Sequence, residues 1–151
     1  MHVSQKCQYA LRAIFELAKH EGNGPVKICD IAQAQATPQR FLEVILGQLK
    51  QVGFVESRRG AEGGYLLVGR PEDLFVGQVI RFVEGPVTPV DCSSAGGKAK
   101  CKLNGSCAFL PVWKKVQKAV SGVYDTTTFA DLIEQEERMR MRQETALNYS
   151  I

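Results

Sequence analysis

Residues 37–68 read TPQRFLEVILGQLKQVGFVESRRGAEGGYLLV, and this stretch decides the fold. It divides at Gly53. Before that glycine, Phe41, Leu42, Ile45, Leu46 and Leu49 recur at three- and four-residue spacing, which predicts a helix with one apolar face. Thr37-Pro38 reads as the helix start, with Thr37 as N-cap and Pro38 at the first helical position. Gly53 supplies the stop. After it, Phe54 to Ser57 and Gly64 to Val68 are short β candidates. They flank Arg58-Arg59-Gly60-Ala61-Glu62-Gly63, the basic, glycine-rich tip of a hairpin.

Upstream lie two more helical patterns. Residues 4–20 carry Cys7, Ala10, Leu11, Ile14, Leu17 and Ala18 on one face, with Ser4 placed as N-cap. Glu21 to Pro25 breaks that pattern, and a short helix over 28–35 uses Ile28, Ile31 and Ala32. Helix, helix, helix and hairpin is the outline of a winged helix-turn-helix head over residues 1–70, in a mainly α fold. Such a head places the first turn of its third helix in a DNA groove about 12 Å wide. Here that turn offers Thr37, Gln39, Arg40 and Glu43. Arginine and glutamine can bond bidentately to guanine and adenine, and a helix N-terminus favours phosphate. Arg58, Arg59 and Gly60 at the hairpin tip suit a phosphate backbone or a narrow minor groove. Periodicity alone also accommodates a helical module that binds protein.

Downstream, residues 71–90 hold a connecting helix over 76–84, marked by Val76, Val79, Ile80 and Val83 and ended by Pro86 and Pro89. Residues 91–107 read as a loop rich in Gly, Ser, Lys and Cys. The segment 108–133 contains a longer helix from Leu110-Pro111 to Tyr124, striped by Val112, Val116, Val120 and Val123. It also contains a capping-box signal, Thr128 to Asp131, for a short terminal helix. Residues 134–151 read as a charged tail, frayed or disordered.

Three of the five cysteines, Cys92, Cys101 and Cys107, fall in the loop with spacing C-x8-C-x5-C. An odd cysteine count argues against a disulfide framework, and clustered thiolates bind soft metals and iron–sulfur clusters. Cys107 lies just before a helix, whose positive end stabilises a thiolate, and Lys98, Lys100 and Lys102 add positive charge. Zinc spacings such as C-x2-C are absent. The same cysteines also fit a thiol switch without metal. Cys7 is a weak candidate for a fourth ligand; on the apolar helix face it reads as a small hydrophobe.

The net charge of +3 is carried entirely by residues 1–70, with nine Lys/Arg against six Asp/Glu; residues 71–151 balance at ten against ten. That is compatible with nucleic acid without requiring it. No apolar run approaches the ~18 residues of a membrane span, and the N-terminus has no signal-peptide pattern, so cytoplasmic residence is expected. No nucleotide-binding glycine motif, catalytic dyad or paired carboxylates suggest an enzyme or an electron carrier.

The residues themselves resemble the Rrf2 family of bacterial regulators, the IscR/NsrR/RirA group. The resemblance rests on Tyr9-Ala10-Leu11-Arg12, Ile31-Ala32, Phe41-Leu42-Glu43, Gly53-Phe54-Val55, Arg59-Gly60, Gly63-Gly64-Tyr65-Leu66-Leu67 and Thr127-Thr128-Phe129-Ala130-Asp131-Leu132. It covers about residues 1–133. It implies a homodimer whose long C-terminal helices cross, reading a pseudo-palindromic operator in double-stranded DNA. It maps groove-facing residues onto Arg40 and Glu43 and the wing arginine onto Arg59. It further implies an iron–sulfur cluster, 2Fe-2S or 4Fe-4S, on Cys92, Cys101 and Cys107, controlling operator binding in response to iron, redox state or nitric oxide. This chain departs from the family's two known fourth ligands. Leu110 stands where a histidine follows the last cysteine, and Gln8 stands where an acidic residue precedes the tyrosine.

Overall fold

The structure is a computed structural model and describes residues 2–90, 101–103 and 105–148. Three helices build the head: α1 Gln5–Lys19, α2 Ile28–Ala34 and α3 Gln39–Gln51. Ser4 caps α1 as expected, its hydroxyl oxygen accepting from the Cys7 N–H at 3.1 Å. The end of α3 is a Schellman turn. Gly53 takes φ +83°, its N–H donates to the Lys50 carbonyl at 3.1 Å, and the Phe54 N–H donates to that of Leu49 at 3.0 Å.

The start of α3 corrects the sequence expectation. Pro38 occupies the cap position, and Thr37 makes no capping bond. Ala36 turns through a left-handed φ of +47°, and the Thr37 side chain after it points inward, 4% exposed. Its hydroxyl donates to the Gln35 carbonyl at 3.1 Å. Thr37 therefore secures the turn between α2 and α3 from inside.

Two strands follow, β1 Val55–Arg58 and β2 Gly64–Leu67, paired antiparallel from Val55 opposite Leu67 to Arg58 opposite Gly64. A third chain segment joins them. Val26 and Tyr65 exchange both backbone hydrogen bonds, at 2.8 and 2.9 Å, so the loop between α1 and α2 forms one rung of the sheet. A Cβ on Gly64 would collide with the Val26 carbonyl, which explains the glycine ahead of Tyr65.

The core lies where α1, α2, α3 and the hairpin meet. Ile14, Leu17, Ile31, Leu42, Leu46, Leu49 and Val55 are fully buried there, each side chain contributing about 1.5–3 kcal/mol of burial. One carboxylate shares this interior. Glu16 is 4% exposed and accepts from the Gln35 side chain at 2.7 Å, with Lys19 at 3.4 Å and His20 at 3.5 Å. It thus joins α1 to the end of α2.

Three helices complete the chain: α4 Val76–Glu84, α5 Leu110–Tyr124 and α6 Phe129–Asn148. The first two coincide with the sequence reading. Helix α4 packs on α1. Helix α5 leans on α4 through Arg81, whose guanidinium donates to both oxygens of Asp125 at 2.5 and 2.8 Å, and none of its residues is buried.

Helix α6 overturns the expected tail. It runs 20 residues, through the segment read as charged and frayed. Its capping box is as anticipated: the Thr128 N–H donates to Asp131 Oδ2 at 2.8 Å, and the Asp131 N–H to Thr128 Oγ1 at 3.1 Å. Phe129 anchors it in the core, and Lys19 meets Glu136 at 3.0 Å. From Glu134 onward, ion pairs of i,i+4 spacing, Glu134 with Arg138 and Arg140 with Glu144, take over from burial.

Candidate nucleic-acid interface

The outward face of α3 is set by what its inner face buries. With Leu42, Ile45, Leu46 and Leu49 inside, the helical repeat turns Gln39, Arg40, Glu43, Val44 and Gly47 to solvent. Gln39, Arg40 and Glu43 are therefore brought to one face, as the sequence predicted, while Thr37 is withdrawn from it. The Arg40 guanidinium sits 4.9 Å from the centre of the Phe41 ring, and that ring lies 5.9 Å from Tyr9 of α1. Aromatic support of this kind limits the rotamers of a long cation and costs it no charge.

The hairpin tip carries Arg58, Arg59 and Gly60, all exposed. Arg58 lies 3.6 Å from Glu56, a solvent-screened pair that leaves it available to a phosphate. Gly60 takes φ +108°, and a Cβ on Gly63 would collide with the Arg58 carbonyl, so the turn closes only with glycine at these positions. Lys50 near the end of α3 donates to the Ser57 hydroxyl at 2.6 Å, fastening hairpin to helix. Sequence reading missed the Val26 rung of this sheet, because a single bridged residue has no periodicity to detect. It also missed the groove between α1 and α3, lined by Gln5, Lys6, Tyr9, Phe41, Val44 and Ile45.

Of the cysteine loop, Cys92 lies outside the described residues, as do Lys98 and Lys100. Cys101 and Cys107 are both free and half-buried, and Lys102 between them is exposed. The Cys107 carbonyl accepts from the Leu110 N–H at 3.2 Å, which sets this cysteine immediately ahead of α5. Thiols in the segment leading to a helix N-terminus are donors of the right chemistry for iron. Among the described residues no group of three or more His, Cys, Asp or Glu gathers as a metal site.

Cys7, the weak fourth-ligand candidate, stands on α1. It is fully buried with Ile80 and Val87. Burial pushes its thiol up to about 11, and the neighbouring Glu84 carboxylate adds to the shift, so it stays protonated at neutral pH. Glu84 in turn is held below the usual carboxylate range, chiefly by the Ser4 hydroxyl that donates to it at 2.5 Å. Gln8 spends its amide on the Val3 carbonyl at 3.2 Å.

With this geometry in view, comparison with known proteins is decisive. The sequence model of Rrf2, described as an iron-dependent transcriptional regulator, matches residues 3–135. The chain belongs to the Rrf2 family. Among its Rrf2 relatives, CymR of Bacillus subtilis is 37% identical over 132 residues, covering 87% of this chain and 89% of its own. IscR of Serratia proteamaculans is 32% identical over 133 residues, covering 88% and 79%. The solved structure of T. potens IscR superposes with a TM-score of 0.75 at 36% identity, over 92% of this chain and 90% of that one. The winged helix-turn-helix head and mainly helical fold are thus those of Rrf2 regulators, and the chain is a transcriptional regulator of that family. Among the described residues no helix is long and apolar enough to cross a membrane.

Proposed function

We propose that this Rrf2 regulator binds a pseudo-palindromic operator as a homodimer, and that Cys92, Cys101 and Cys107 hold an iron–sulfur cluster that controls the binding. The observation that carries the DNA reading is the shared face of Gln39, Arg40 and Glu43 on α3, with Arg58, Arg59 and Gly60 on a hairpin fastened to the same helix. Gln39 and Arg40 face base edges; Arg59 and the wing backbone follow the phosphates. The dimer reading rests on α5. Val112, Val116 and Val123 are exposed along a helix with no buried residue, an apolar stripe that a second copy of the same helix would cover.

An iron–sulfur cluster supplies iron whose state changes with oxidation or nitric oxide. The chain's own residues convey such a change. Cys107 precedes α5, and α5 is clamped to α4 by the Arg81–Asp125 pair. Helix α4 packs on α1 of the head. A displacement of the loop therefore reaches the head through elements in contact, and half-site spacing in a dimer is geometrically exacting.

A second reading has its own support. CymR, similar to this chain along most of its length, is described as the global cysteine regulator of B. subtilis. Cys101 and Cys107 are free thiols here, so a thiol switch or a protein partner, without metal, is the alternative. Anaerobic reconstitution with iron and sulfide separates the two. The cluster reading expects visible absorbance and bound iron that Cys92→Ala, Cys101→Ala or Cys107→Ala each abolish. Colourless, iron-free protein after reconstitution transfers the switch to the thiols.

A further inference from the structure

The reading face of α3 is charged at its first turn but apolar one turn later. Val44 is 61% exposed and Phe41 44% exposed, and together with Tyr9 they form a continuous apolar floor. Gln5 and Lys6 of α1 and the Arg40 guanidinium border it. A cation-flanked apolar surface on a groove-entering helix has one fitting occupant in duplex DNA. The C5-methyl of thymine is the apolar group displayed in the major groove, while phosphates on either side receive the cations.

Gly47 supports this independently. It stands inside α3, one turn beyond Val44 on the same exposed face. Its φ is not in the left-handed region, and a Cβ built on it would meet nothing within 4 Å. Neither backbone geometry nor internal packing calls for glycine there, and glycine weakens a helix interior relative to alanine. A missing side chain on the outer face serves close approach by something outside the chain.

We infer that Val44, on the floor it shares with Phe41, is a specificity-determining residue that reads a thymine methyl in each half-site, with Gly47 leaving room for the groove wall. This rests on the DNA reading proposed above and adds the base chemistry that the operator must contain.

The test begins with selection of duplexes from a random pool by the full-length protein, followed by affinity measurements on the selected operator. Replacing thymine by uracil at each position in turn removes one methyl and leaves base pairing intact. At one position per half-site the wild type is expected to lose about four-fold in affinity, the worth of one buried methyl-sized group. Val44→Ala is expected to bind the thymine operator more weakly and to be indifferent to that same replacement. Gly47→Ala is expected to raise the melting temperature while weakening operator binding, a combination that a misfolded variant cannot produce. An enriched operator that wild type binds equally well with uracil at every position overturns the inference and leaves the DNA reading standing. So does a full uracil penalty retained in Val44→Ala. Failure to enrich any duplex removes both.

Discussion

At the scale of single residues, the described cysteines divide into one that packs and three with surface exposed. Cys7 shares a closed cluster with Ile80 and Val87, and its thiol is held protonated by burial and by the Glu84 carboxylate. Cys29, Cys101 and Cys107 all have exposed surface. Iron-free protein treated with iodoacetamide is therefore expected to label at Cys29, Cys101 and Cys107 and to spare Cys7, as read by peptide mass spectrometry. Cys7→Ala is expected to lower stability by about 1 kcal/mol, the cost of a small void, without loss of bound iron. Iron loss in that variant would return Cys7 to the ligand set. Much at this scale was legible in sequence, because Cys7 falls in register with Ala10, Ile14 and Leu17. Thr37 was not. A threonine before proline signals an N-cap, and only the left-handed turn at Ala36 shows that its side chain is buried.

Among elements, legibility followed burial. Helices α3 and α4 each show a regular apolar face, and their bounds follow from it. The hairpin followed from its glycines. Helix α6 escaped notice past residue 133 because Met139, Met141 and Leu147 are exposed and make no stripe. What sustains it is a capped start and surface ion pairs, features that periodicity does not weigh. The cap and the α4–α5 clamp depend on ionised carboxylates. Arg81 holds Asp125, and the Thr128 backbone and hydroxyl hold Asp131, below the usual carboxylate range. A carboxylate with a lowered folded pKa contributes stability above its unfolded pKa and loses it as pH falls through the folded one. Thermal stability is accordingly expected to hold from neutrality down to about pH 4 and to decline below it. In Asp125→Asn, circular dichroism melts should show lower stability at neutral pH and a shallower acid decline. An unchanged acid profile would mean that the clamp contributes nothing.

For the whole molecule, the account joins a reading face on α3, a basic wing, an apolar α5 and a cysteine turn at the head of that helix into one regulated dimer. The first two were largely written in the residues 37–68. The dimer and the ligand set are proposals drawn from family resemblance, because an apolar stripe and two thiols do not name what covers them. The dimer is open to a direct check. Val116→Asp, placing a charge in the α5 stripe, is expected to sediment as a monomer and to lose operator binding while its head still folds.

The central claim is that the state of the cysteine loop sets operator affinity, and fluorescence anisotropy of the selected operator tests it most directly. Wild type should change its affinity by at least tenfold between iron-loaded and iron-free forms, whereas Cys107→Ala should bind alike after either treatment. Equal affinity of the two wild-type forms, with iron shown to be bound in one, would contradict the account.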